Sequence, residues 1–301
     1  MDPEVRAKYL KAGAIAGAAR EYGRTLIKEG ASVLEVAEAV EAFVEKEGGK
    51  PAFPVNLSFN TDAAHYSPRV NDDLVFKHGD LVKLDVGVHV DGYIGDNAVT
   101  VEVGTDTHRE LREAATAALR AAIKVVRDGA AIRDLGAAIE HEIRSRGFQP
   151  VANLTGHSVD HYHQHAGLTI PNIAAMGHGS LKAGQVIAIE PFATTGAGRI
   201  KDSGGGHIYH YRNNRPQRTP DAKAALKYIQ EHHSELPFSE RWLTKAIPAS
   251  KVAFAMRMLE QTGAVSQYAI LREIQNGMVA QAENTVIVTE TGCEITTLPA
   301  L

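Results

Sequence analysis

LVKLDVGVHV (residues 81–90), DG (91–92) and YIGDNAVTVEV (93–103) read as two β-strands joined by a two-residue turn. The flanking runs are rich in β-branched residues, and Asp-Gly is a strong hairpin signal. With that turn, opposed residues sum to 183, so Asp85 faces Ala98 and Asp96 is its diagonal neighbour on the same face. Diagonal neighbours lie about 7–8 Å apart. Asp85 interrupts the apolar run Val82-Lys83-Leu84-Asp85-Val86, where a carboxylate is costly unless it is paired or bound to metal. Two such side chains could reach one pair of metal ions, which typically sit about 3.5–4 Å apart.

Three more potential ligands stand at similar points. Glu190 ends the β-forming run Val186-Ile187-Ala188-Ile189 and precedes Pro191. Glu283 opens Asn284-Thr285-Val286-Ile287-Val288, and His157 follows Gly156. Four carboxylates and one imidazole make an oxygen-rich set. It suits a pair of Mn, Fe, Co or Zn ions better than a structural zinc held by thiolates.

Taken singly, each residue has a plainer explanation. A lone Asp in a strand is more often a hydrogen-bonded structural group than a ligand. Glu190 could form a buried salt bridge, and His157 could cap a turn. Asp62, Asp91 and Asp160 suit turns. His161, His163 and His165 fall on alternate positions and could line one face of a strand, which could simply be solvated.

Alanines and aliphatics at helical spacing predict a helix over 4–29, and Ser32 caps a second through about Glu47. Pro, Asn and Ser between 51 and 70 suggest extended segments and loop. Two helices are expected near 107–127 and 131–146, with strands at 149–153, 184–194, 206–212 and 281–289. From Thr219 to Gly277 the pattern is helical and suggests an inserted three-helix, winged-helix-like module. That divides the chain into 1–218, an insert at 219–277, and final strands at 278–301.

The 301 residues suffice for one large core, and 44% hydrophobic with 23% charged residues is ordinary for a soluble globular protein. A net charge of -4 argues against nucleic acid or an anionic membrane as the main partner. Within 219–277, 7 basic and 6 acidic residues make no phosphate-binding stripe, so the winged-helix likeness carries no DNA-binding expectation. No apolar run approaches the roughly 20 residues of a membrane span. The first 23 residues lack a signal peptide's apolar centre, and the single cysteine, Cys293, permits no internal disulfide. These features point to the cytoplasm.

The joint order of the motifs adds what the single residues cannot. Pro51-Ala52-Phe53-Pro54, Ala63-Ala64-His65-Tyr66, Lys83-Leu84-Asp85-Val86-Gly87, Gly95-Asp96, Gly156-His157, His165-Ala166-Gly167, Ala188-Ile189-Glu190-Pro191-Phe192 and Ala280-Gln281-Ala282-Glu283 follow one another in this chain. Together they resemble the type 2 methionine aminopeptidases over nearly the whole length. The 219–277 insert resembles the segment that separates type 2 from type 1, in the short archaeal form. The resemblance implies an α/β (α+β) pita-bread fold, with pseudo-twofold halves around curved antiparallel sheets. It implies two divalent metal ions (Co, Mn, Fe or Zn). Asp85 and Asp96 would bind one and His157 and Glu190 the other, with Asp96 and Glu283 bridging. Glu190 would also act as general base, and the metals would supply Lewis acidity. His165 would donate a hydrogen bond to the substrate amide and the developing oxyanion. His65 would position the substrate. Phe53 would line the methionine pocket, where a thioether packs well on an aromatic ring.

The implied activity is removal of the initiator methionine from nascent chains and peptides with a small second residue. The implied enzyme is a monomer working near the ribosome. Two positions depart from the family pattern: Ala282 stands where an aromatic is usual, and Asn284 where a histidine is usual. They bear on the pocket wall and on the surroundings of Glu283. Two rivals share the fold: an X-Pro peptidase, and a non-catalytic binding protein. The first usually carries a further N-terminal domain; the second typically loses metal ligands.

Overall fold

Leu81–Val90 pairs antiparallel with Tyr93–Glu102 in the expected register, with Asp85 opposite Ala98 and Gly87 opposite Asp96. Asp91 and Gly92 have φ of 49° and 86°, the left-handed pair of a type I′ turn. Asn56–Phe59 adds to the other edge of the first hairpin strand, with Asn56 opposite Asp85. In this computed structural model, which describes residues 1–298, two helices cover that sheet. Helix α1 spans Pro3–Leu26, and the Asp2 side chain caps it by accepting from the Glu4 and Val5 N–H groups. Helix α2 spans Val33–Lys46, with Ser32 as its cap. Ala16, Ala19, Val36, Val40, Leu57, Leu84 and Val86 form the core between helices and sheet.

The second half repeats the plan. Helices α3 (Arg109–Val125) and α4 (Ile132–Ser145) pack on a five-stranded sheet. Its centre is Val186–Ile189, flanked by Thr155–Ser158 and Asn284–Val288. Leu111, Leu135, Ile139, Ile187, Ile189 and Val286 share its core. Each half is thus two helices laid on a curled antiparallel sheet, with its own apolar core. That is the expected pseudo-symmetric architecture.

The halves are joined along one line. The Tyr93–Glu102 strand of the first meets the 281–285 segment of the second. Thr285 Oγ1 accepts from Asp96 N–H at 2.9 Å and donates to the Asp96 carbonyl at 2.8 Å. Glu283 N–H donates to the Ala98 carbonyl at 3.0 Å. Thr100 Oγ1 donates to the Gln281 carbonyl at 2.7 Å and accepts from Gln281 N–H at 2.8 Å. This seam brings Asp96 beside Glu283.

The 219–277 segment differs from its expected form. Helices α5 (Pro220–His232) and α6 (Ala249–Gln261) are present, but the turn between them, Glu240–Lys245, is 3-10. Beyond α6 the chain is not helical. Gly263, at φ 70°, ends the helix, and Val265–Glu273 is a strand. It pairs along Ile200–Tyr211, whose edge needs a partner, and at its other edge it meets Asp62–Ala64. The expected strand of alternating histidines at 160–165 is also absent. Asp160 and His163 exchange backbone hydrogen bonds in a tight turn, and Tyr162 lies at φ 55°. Among the described residues, no helix is long and apolar enough to cross a membrane.

Candidate metal centre

Asp85, Asp96, His157, Glu190 and Glu283 line one cavity between the two halves. Phe53, His65 and His165 line it too, so all eight residues singled out in the sequence converge there. The hairpin contributes Asp85 and Asp96. The second sheet contributes His157, on the strand beside Val186–Ile189, with Ala188 opposite it. Glu190 and Glu283 extend the next pair of strands, in which Asn284 faces Ile189.

The side chains are close. His157 Nε2 lies 3.5 Å from Glu190 Oε1 and 3.7 Å from Asp96 Oδ2. Asp96, His157 and Glu283 each offer a ligand atom within 4.8 Å of the others. These three residues are 2%, 5% and 1% exposed.

Burial pushes the Asp85 carboxyl up to about 7, partly countered by hydrogen bonds from Gln281 and Asp96. Asp96, Glu190 and Glu283 are held well above the usual carboxylate range, first by burial and then by the neighbouring carboxylates. Burial takes His157 down to about 3, with His165 adding to the effect, so the imidazole is neutral. Asp85 Oδ1, Asp96 Oδ1 and His157 Nδ1 find no hydrogen-bond partner among the described residues. Buried acceptors without donors and crowded carboxylates are unfavourable for a protein alone. Divalent cations would satisfy both, and the all-oxygen-and-imidazole donor set fits them.

Around the carboxylates, the cavity has walls suited to a substrate. The Phe53 ring lies over Gly87, where a Cβ would come within 2.1 Å of the ring. His65 donates from Nδ1 to the Ala269 carbonyl at 3.3 Å, and burial takes its pKa down to about 4. Its other ring nitrogen is therefore an acceptor. His165 packs edge-on against His157, ring centroids 4.3 Å apart, and this partial desolvation lowers its pKa. A neutral His165 keeps one N–H to donate. His161 and His163 do not line the cavity: His161 Nε2 sits 2.9 Å from the Asp91 carbonyl, and His163 is exposed.

Several lining residues escaped sequence reasoning. Asn56, Gln164, Ile208, Pro237 and Tyr268 face the same space. Gln281 Nε2 stands 3.4 Å from Oε2 of both Glu190 and Glu283. Its one available signal was its place two residues before Glu283, on the same face of an extended segment. Tyr268 had none, because its stretch reads as helix.

The family model described as metallopeptidase family M24 matches residues 7–290. A methionine aminopeptidase of Pyrococcus horikoshii is 48% identical over 96% of this chain and 98% of its own length. One from Archaeoglobus fulgidus is 46% identical over 99% of this chain and 100% of its own. The crystal structure of a methionine aminopeptidase from Thermotoga maritima superposes with a TM-score of 0.73 at 25% identity, covering 99% of this chain and 98% of that one.

Proposed function

The chain belongs to metallopeptidase family M24, and from that premise we propose that it is a metal-dependent methionine aminopeptidase of pita-bread fold. It hydrolyses the first peptide bond of chains that begin with methionine. The carrying observation is the convergence of four buried carboxylates and one neutral imidazole on a cavity walled by Phe53, His65 and His165.

Asp85 and Asp96 would hold one cation and His157 and Glu190 the other, with Asp96 and Glu283 shared between them. Held there, two divalent cations would supply Lewis acidity toward the scissile carbonyl and the attacking water. The protein does the rest. Glu190 accepts a proton from the attacking water and passes it to the leaving amine. His165 donates to the oxygen on which charge develops. His65 accepts from a substrate N–H, and Phe53 receives the methionine side chain. Substrates are methionyl peptides and nascent chains with a small second residue, met in the cytoplasm near the ribosome by a monomeric enzyme.

Peptide hydrolysis with and without added metal tests this reading. Release of methionine from Met-Ala-Ser, with Ala-Pro left intact, is expected. Release of free residues from X-Pro dipeptides instead would select the rival peptidase, and no hydrolysis with metal bound would select the non-catalytic protein. Met-Ala, Met-Gly, Met-Ser and Met-Pro starts should be cleaved. Met-Leu and Met-Lys starts should not.

A further inference from the structure

Arg241 belongs to the insert, in the 3-10 turn between α5 and α6, yet its guanidinium is buried in the catalytic body. Nη1 and Nη2 donate to Glu41 Oε2 and Oε1 at 2.9 and 2.8 Å, a two-point pair with a side chain of α2. Nε donates to the Pro68 carbonyl at 2.9 Å, and Nη2 reaches Ser67 Oγ at 3.3 Å. Glu41 accepts two further bonds, from Trp242 Nε1 at 2.9 Å and from Val55 N–H at 3.2 Å. The side chains of Arg241 and Glu41 are 3% and 9% exposed.

The pair therefore grips both ends of one segment. At one end Glu41 holds Val55, which lies between Phe53 and Asn56 of the cavity wall. At the other, Arg241 holds Ser67 and Pro68, just beyond His65. Asn56 closes the loop internally: its Oδ1 accepts from His65 N–H at 3.0 Å. His65 sits at φ 69°, a conformation that a residue with a side chain keeps only when its neighbours impose it. A buried ion pair is a weak source of net stability. Here its bonds go to the backbone and side chains that shape one wall.

We propose that Arg241 and Glu41 are positioning residues through which the insert sets the wall formed by Phe53, Asn56 and His65, and so the fit of the first substrate residue. This rests on the aminopeptidase reading above. The five ligands lie on segments other than 55–68, and the Asp85 strand is also held on its far side by Tyr93–Glu102, so metal content should change much less than KM.

The test compares wild type with Arg241→Met, Glu41→Gln and the double variant Glu41→Met/Arg241→Met. For each, KM and kcat are measured on Met-Ala-Ser and on the same peptide with norleucine first, alongside metal content and Tm. Arg241→Met should lower kcat/KM for Met-Ala-Ser on the order of ten- to hundredfold, mostly through KM, and narrow the preference for methionine over norleucine. Metal content should change much less than KM. Glu41→Gln leaves the Arg241 charge buried without its carboxylate and turns an amide N–H toward donors of Arg241 or Trp242, so it should raise KM in the same direction as Arg241→Met. The double variant removes the unpaired buried charge, so its Tm should recover above that of Arg241→Met while KM stays raised. A merely structural pair behaves differently: instability reduces the active fraction and hence kcat, and leaves KM alone. Native KM and native methionine preference in the double variant would overturn the proposal. An inactive wild type with metal bound would instead overturn the aminopeptidase reading, and the clamp's role with it.

Discussion

Glu190 and Glu283 face each other one residue beyond the paired Ile189 and Asn284, and Gln281 Nε2 stands 3.4 Å from a carboxylate oxygen of each. Gln281 is 2% exposed, and its main chain is tied to Thr100 across the seam. Its backbone is therefore held across the seam, and its side-chain amide is aimed at both acids. Gln281→Leu should leave the fold intact and weaken metal binding by about 10–100-fold, the usual effect of losing a group that orients a ligand. Metal titration of activity should show the loss, and excess metal should restore most of the rate. An unchanged titration would reduce Gln281 to a packing residue.

Removing the metals should make stability depend on pH at this cavity. Asp85 is raised to about 7, and the other three carboxyls are also raised. A folded pKa above the unfolded one means that the protonated acids favour the chelated fold at low pH. That contribution is lost as pH rises from the unfolded carboxylate range through about 7 for Asp85. Bound cations need the ionised form, so binding releases protons. The Tm difference between metal-loaded and chelated protein should therefore grow between pH 5.5 and 7.5. Histidines and lysines outside the cavity act on both forms alike and cancel in the difference. A Tm difference that is flat or falls over this range would contradict the assignment of raised carboxyls as ligands.

His165→Ala should lower kcat about 10²–10³-fold, the range for loss of one oxyanion donor. KM should move little and metal content not at all, because His165 is assigned to the transition state and not to the metals. Loss of metal would make it a ligand. Full kcat with full metal would remove its catalytic role.

His161→Ala and His163→Ala should keep most activity. His161 serves the hairpin tip through the Asp91 carbonyl, and His163 faces solvent. Steady-state kinetics on the folded variants checks this, and a large loss in either would mean that the 160–165 turn does more than carry His165.

What was legible in the sequence follows the range of the interactions. The hairpin register came from a two-residue turn, so Asp85 opposite Ala98 needed no knowledge of the rest of the chain. Ser32 as a cap and the four long helices were equally local. The line of bonds linking 96 with 285, 98 with 283 and 100 with 281 was invisible, because it joins segments nearly two hundred residues apart. So was the Val265–Glu273 strand, which exists because Ile200–Tyr211 offers it an edge. The alternating histidines misled for the opposite reason: the pattern was local, but Asp160 and His163 close a turn that breaks it. In the cavity, charged ligands stood out against apolar runs. Gln281, Gln164 and Tyr268 did not, since neutral polar and aromatic residues look ordinary in any strand or loop.

The most direct measurement is metal stoichiometry read against methionine release on the same samples, for wild type and Glu190→Gln. Chelated wild type should release no methionine from Met-Ala-Ser. Activity should return as divalent metal is added back, with up to two ions bound per chain. Glu190→Gln should both bind metal more weakly and lose at least about 10²–10⁴-fold in kcat, because proton transfer goes with the ligand. Full methionine release by rigorously metal-free protein, or native metal binding and native kcat in Glu190→Gln, would contradict a metal-dependent aminopeptidase built on these five side chains.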